Sequence, residues 1–288
     1  SDICKLCKSC CQIPPDKMKN RPLSISLFFS AILLYALLTL PSTGFAQGSD
    51  EASAVKAKRH KVKVLAEYPH STKSYTQGLF FYDGHLWETT GQYGESCLIK
   101  WNLETGKWLR KWRFKKRFFV EGSCVLNGWF YILTWMEHTC FVFNLESPQA
   151  KLKEIGRASY PTEGWGLTTD GNQLIMSDGS SFLMFMDKNS FYCNSKVQVT
   201  LDGKPLEYLN ELEWINGKIW ANVYLTDDIV IIDPQTGTVT DVIDCKGILP
   251  ERLKTKTTDV LNGIAMDPSD GSIYITGKYW PKLYRISY

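Results

Sequence analysis

Histidine is scarce in this sequence. His60, His70, His85 and His138 are all there is in 288 residues, and they share no spacing. Beyond residue 46 cysteine is thin too: Cys97, Cys124, Cys140, Cys193 and Cys245 follow no ligand pattern. Without a His/Cys/Asp cluster at ligand spacing, neither a metal nor any other cofactor is expected. Five is an odd number, so at least one thiol stays free, in the manner of a small buried hydrophobe. Charge of one sign is missing as well. The formal net charge is +3, which gives no argument for a nucleic-acid partner. No Asn-x-Ser/Thr acceptor follows the N-terminal apolar run, and no helical period is sustained beyond it.

That apolar run, residues 23–40, is the one long hydrophobic stretch. Met18, Lys19 and Arg21 precede it, and Gly44-Phe45-Ala46 follows with small residues at the −3 and −1 positions. Residues 18–46 therefore read as a signal peptide, with Gln47 starting the mature chain. The alternative is a membrane anchor, since 18 residues is the lower edge of spanning length. Cleavage implies a secreted or periplasmic protein with no stable membrane association; an anchor would hold the folded part outside the cytoplasm. Residues 1–17 begin without Met and carry Cys4, Cys7, Cys10 and Cys11. They read as a non-native or unprocessed leader, because no fourth iron–sulfur ligand follows at a suitable distance. Residues 47–60 are polar and Ala-rich, the composition of a disordered linker.

Aromatics are abundant: ten Trp, fourteen Tyr and fourteen Phe. They suit pleated, half-buried surfaces and favour sheet over helix. A repeat organises them. The pairs Gln77-Gly78, Glu121-Gly122, Trp165-Gly166, Asn210-Glu211 and Asn262-Gly263 each open a strand-like run. Their second members step by 44, 44, 45 and 52 residues, a period that marks stacked or radial units. Within each unit an Asx-Gly turn separates two apolar runs: Asp83-Gly84, Asn127-Gly128, Asp170-Gly171, Asn216-Gly217 and Asp270-Gly271. This is the strongest short hairpin signal. Four short strands per unit and five units predict an all-β, five-bladed β-propeller over residues 61–288. The last unit stops after three strands, and residues 61–68 form an orphan strand that would complete it and close the ring. Residues 247–258 are a polar insertion expected to cap one face. The basic–aromatic stretch 107–117 reads as the charged outer edge of the first blade.

The strand entering each blade lines the channel, so the five slot residues Gln77, Glu121, Trp165, Asn210 and Asn262 should ring one mouth. Loops between strands two and three would add residues 88–96, Trp135, Asp178, Asn222 with Tyr224, and Lys278 with Trp280. Such a ring suits a small polar group held between apolar walls.

Read together, Tyr75-Thr76-Gln77-Gly78-Leu79, Glu121-Gly122, Gly164-Trp165-Gly166-Leu167, Leu209-Asn210-Glu211-Leu212-Glu213, Ile219-Trp220-Ala221-Asn222, Leu261-Asn262-Gly263-Ile264 and Thr276-Gly277-Lys278-Tyr279-Trp280 closely resemble the plant-type glutaminyl cyclases, or glutamine cyclotransferases. The resemblance runs from about Tyr68 to the C-terminus. It implies a propeller enzyme of the acyltransferase class that turns N-terminal glutamine of peptides or proteins into pyroglutamate, releases ammonia and needs no metal. It places the essential carboxylate on Glu121, with Lys278 and Asn210 as catalytic partners. Gln77, Trp135 and Trp165 fall on further site positions of that family, and Asn222, Tyr224 and Asn262 complete the substrate-binding set. Two positions depart from the family pattern: Val120 replaces a glycine, which would reshape the pocket, and Tyr224 replaces a tryptophan. The rival classes are a non-catalytic peptide-binding propeller of the cell envelope and a calcium-dependent propeller hydrolase. The scarcity of channel carboxylates and histidines disfavours the hydrolase.

Overall fold

The computed structural model describes residues 56–145 and 152–288. The leader, the signal or anchor segment and most of the linker fall outside them. Five antiparallel sheets follow one another along the chain. Blade 1 holds Thr76–Tyr82, His85–Thr90, Cys97–Asn102 and Lys107–Arg113. Blade 2 holds Val120–Leu126, Trp129–Thr134, Thr139–Asn144 and Lys153–Ser159. Blade 3 holds Leu167–Thr169, Leu174–Ser177, Phe182–Met186 and Cys193–Gln198. Blade 4 holds Leu209–Ile215, Lys218–Val223, Asp228–Ile232 and Val239–Asp244. Blade 5 holds Leu261–Met266, Ile273–Gly277 and Lys282–Ser287. At Asp83-Gly84, Asn127-Gly128 and Asn216-Gly217 both turn residues take positive φ, which matches the right-handed twist of the hairpin arms.

The ring closes as the orphan strand requires. Lys63–Pro69 pairs antiparallel with Lys282–Ser287 and becomes the fourth strand of blade 5. The strand immediately before it was not foreseen. Lys58–Lys61 runs parallel to the outer strand of blade 4, so residues 58–60 are sheet rather than linker. Their polar character hid this, because the pairing uses backbone bonds and charge. His60 Nε2 meets Asp241 Oδ1 at 2.7 Å, and Lys61 Nζ donates to Asp244 Oδ2 at 2.9 Å. The insertion at 247–258 carries a single 3-10 turn, Glu251–Leu253. Its apolar residues Ile248 and Leu249 tuck into the core between blades 4 and 5.

Buried hydrophobic side chains form five clusters among the described residues, and each spans two neighbouring blades. Blades 1 and 2 share Phe80, Trp87, Leu98, Phe130 and Phe141. Blade 5 meets blade 1 through Ala265, Tyr274, Leu283, Leu79 and Trp101. Stability therefore resides in the seams, since a single sheet of this size cannot bury both faces alone. The five cysteines among the described residues are free, four of them buried in these seams.

Candidate active site

Each slot residue sits where its inner strand is irregular. In blades 1, 2, 4 and 5 the pairing register shifts across Gln77, Glu121, Asn210 and Asn262. An extra residue in one strand breaks the in–out alternation and re-aims a side chain. In blade 3 the inner strand begins only at Leu167, and Trp165 precedes it. The repeated glycine has a physical cause. Gly122 donates to Trp165 O at 2.7 Å, and a Cβ on it would lie 2.5 Å from Leu167 N. A Cβ on Gly166 would lie 2.0 Å from Asn210 O. The inner strands abut so closely that no side chain fits between them. Hydroxyls of the second strands tie the slots together: Thr89 Oγ1 donates to Glu121 O at 2.7 Å, and Ser177 Oγ donates to Asn210 O at 2.8 Å.

The polar side chains form a chain of contacts. Gln77 Nε2 donates to Glu121 Oε1 at 2.8 Å. Asn262 Nδ2 donates to Gln77 Oε1 at 3.2 Å and to Thr76 O at 2.9 Å. Gly263 N donates to Asn222 Oδ1 at 2.9 Å. With these bonds made, Asn262 Oδ1, Asn222 Nδ2 and Asn210 Oδ1 are buried without a protein partner. Buried amide atoms are costly when unpaired, so three of them in one ring point to a polar ligand.

Glu121 is 5% exposed. Burial pushes its carboxyl well above the ordinary range; Lys278 pulls it back, Glu163 and Glu137 add repulsion, and the Gln77 bond opposes them. Lys278 is 3% exposed, and its ammonium lies over the rings of Tyr75 (4.6 Å) and Tyr224 (4.9 Å). Burial lowers its pKa, while Glu121 and Asp259 resist. Each group feels the other's charge, yet they form no ion pair; the aromatic faces hold the cation instead. Tyr224 also stands edge-on to Trp165. The Tyr224 departure therefore keeps an aromatic wall. The other departure leaves the pocket alone: Val120 is fully buried among Phe80, Phe118 and Phe130, in the seam between blades 1 and 2.

Two sequence expectations fail at the mouth. Glu88 lies in the seam between blades 5 and 1, where it accepts from Thr76 Oγ1 and Trp101 Nε1, each at 2.7 Å, and faces His70 Nε2 at 3.4 Å. Trp280 is buried in the core between blades 4 and 5, where its Nε1 donates to Asp259 O at 2.8 Å. One residue was missed altogether. Glu163 Oε2 accepts from Trp135 Nε1 at 2.6 Å and from Trp165 Nε1 at 2.9 Å, so a single oxygen aligns both indoles. It lies outside every repeated position, and only the folded chain pairs it with the tryptophans. Glu163→Ala should lower kcat/KM on a Gln-peptide by roughly ten- to hundredfold. Glu163→Gln, which retains an acceptor oxygen, should recover much of the loss. Equal effects of the two variants would exclude the alignment role.

Among the described residues no group of three or more His, Cys, Asp or Glu could hold a metal ion. A family model for glutamine cyclotransferase matches residues 36–288. A glutaminyl-peptide cyclotransferase from Arabidopsis thaliana is 35% identical over 265 residues, covering 91% of this chain and 81% of its own. The crystal structure of Myxococcus xanthus glutaminyl cyclase superposes with a TM-score of 0.74 at 36% identity, covering 81% of this chain and 98% of that one. The ring of slot residues and these matches meet in one assignment: the chain belongs to the glutamine cyclotransferase family.

Proposed function

We propose that the protein is a glutaminyl-peptide cyclotransferase, with the slot ring as its active site and no metal required. The observation that carries this reading is Glu121: the one acid among the slot residues, buried, raised in pKa and oriented by Gln77. The substrate's α-amine, of ordinary pKa near 8, reacts in its neutral form, the ammonium proton having gone to solvent. As the amine nitrogen bonds to the γ-carboxamide carbon, Glu121 takes one of its two remaining N–H protons. The carboxamide oxygen becomes anionic and is met by the Lys278 ammonium and by amide donors, for which Asn222 Nδ2 is free and Asn210 is a further candidate. The carbon–nitrogen bond to the amide then breaks, and Glu121 returns the proton so that ammonia leaves. Trp135 and Trp165, fixed by Glu163, hold the side chain folded and exclude the water that would give glutamate.

Ammonia release from a Gln-initiated peptide, with the product lighter by one ammonia, tests the reaction. Dialysis against a strong chelator should leave the rate unchanged; loss restored by zinc would remove the metal-free reading. The signal-like segment supports action outside the cytoplasm. A secreted protein whose N-terminal sequence still contains residues 23–40 would contradict cleavage.

The pKa pattern sets the direction of a pH effect. A general base works only when deprotonated, so activity falls as pH drops through the raised pKa of Glu121, above the usual carboxylate range. The bond from Gln77 favours the charged form. Gln77→Leu removes it and should shift the acid limb of kcat to higher pH. A shift to lower pH, or none with kcat intact, would count against Glu121 as the titrating group.

A further inference from the structure

Blade 1 carries a second concavity, separate from the ring. Its outer strands pair Cys97 with Arg113, Ile99 with Lys111 and Trp101 with Trp108. Alternation, with a bulge beside Trp101, sets these six side chains on one face. The loop entering blade 1, with Ser71, Lys73 and Ser74, completes a cavity of about 410 Å³. That volume lies in the range of ligand sites. Lys73, Lys111 and Arg113 make it cationic against one carboxylate, Glu95. None of the three cations has a carboxylate partner among the described residues.

The cavity adjoins the ring. Ser74 is followed by Tyr75, whose ring underlies the Lys278 ammonium. Gly91, also in the cavity wall, donates to Tyr75 O at 2.8 Å, and a Cβ there would strike the Phe119 ring. Phe119 packs in turn on Trp135. One layer of aromatic rings therefore separates the two concavities. The layer itself carries one carboxylate, Glu137, which accepts from Phe119 N at 3.2 Å; the cations Lys73, Lys111 and Arg113 lie beyond it, in the groove.

We propose that this groove receives acidic side chains a few residues downstream of the substrate's N-terminal glutamine. The inference rests on the cyclotransferase reading. An extended chain advances about 3.3–3.6 Å per residue, so three or four residues reach roughly 10–14 Å from the reacting glutamine. The Ser71 hydroxyl and the exposed Trp108 indole supply neutral contacts beside the cations.

The test compares Gln-Gly-Gly-Glu-Glu-amide, Gln-Gly-Gly-Ser-Ser-amide and Gln-Gly-amide on the wild type and on a Lys111→Ser/Arg113→Ser double variant. At low salt the acidic peptide should show a KM about tenfold below the neutral one, because exposed ion pairs are individually weak. High salt should erase the advantage, and so should the double variant, while Gln-Gly-amide turns over unchanged. Equal KM values at low salt, or an advantage kept by the double variant, would overturn the proposal. Should no Gln-peptide be cyclised, the functional reading fails, and binding of pyroglutamyl-Gly-Gly-Glu-Glu-amide still decides on the groove. Binding followed by tryptophan fluorescence that the double variant loses supports it; no binding by the wild type at low salt refutes it.

Discussion

Glu121→Gln should fold normally and lose two to four powers of ten in kcat on a Gln-dipeptide, about 3–5 kcal/mol of transition-state stabilisation. The substitution keeps side-chain volume and the oxygen that accepts from Gln77 Nε2. It also removes a buried acid whose charged form is disfavoured in this site, so thermal stability should hold. What disappears is the ability to take a proton from the amine and return it to the leaving nitrogen. KM should change little, because the tryptophan walls and amide donors remain. A folded variant with kcat within about threefold of wild type, far short of the loss that a missing acid–base group causes, would remove Glu121 from the mechanism.

Glu211→Ala should act on stability instead, and strongly. Glu211 stands where the other blades have glycine, and it reaches across the channel. Its Oε1 accepts from Leu79 N at 3.0 Å and its Oε2 from Ile264 N at 2.8 Å. Leu79 lies two residues after Gln77, and Ile264 two after Asn262. One carboxyl thus pins the strands that present two slot residues while its own neighbour, Asn210, is a third. Removing it strands two buried N–H groups at about 1–3 kcal/mol each. The melting temperature should drop by on the order of 10 °C for a domain of this size. A melt within about two degrees of wild type would show that the loss is absorbed elsewhere. Strict in–out alternation would aim Glu211 and Asn210 to opposite faces; the bulge across Leu209–Leu212 lets Glu211 reach Leu79 N and Ile264 N instead.

Much of the fold is legible because its signals are local. The Asx-Gly turns dictate hairpins from two adjacent residues, and the slot-glycine pairs repeat at blade spacing. Gln77, Glu121, Asn210 and Asn262 could be picked out for that reason, and the structure links Glu121, Gln77 and Asn262 directly. What escaped depends on contacts between blades. Glu163 aligns indoles from two blades, and Thr89 bonds to the carbonyl of Glu121. Glu88 was misplaced because it was grouped with the loop that follows it. It lies inside the strand His85–Thr90, where its carboxylate serves the seam with blade 5.

The seam that closes the ring also sets a timetable for synthesis. Lys63 pairs with Ser287 and Pro69 with Lys282, so the strand Lys63–Pro69, among the first of the domain to leave the ribosome, finds its partner only when the last has been made. Until then the inner face of blade 1 lacks Tyr274 and Leu283 to cover it, and the early strands offer unpaired edges to other chains. Blades 2 to 4 can pack on one another in order of appearance, but the seam around His70, Glu88 and Trp101 must wait for full length. Deletions at either end of the domain should therefore cost yield through aggregation of the nascent chain, before any effect on the finished ring is felt.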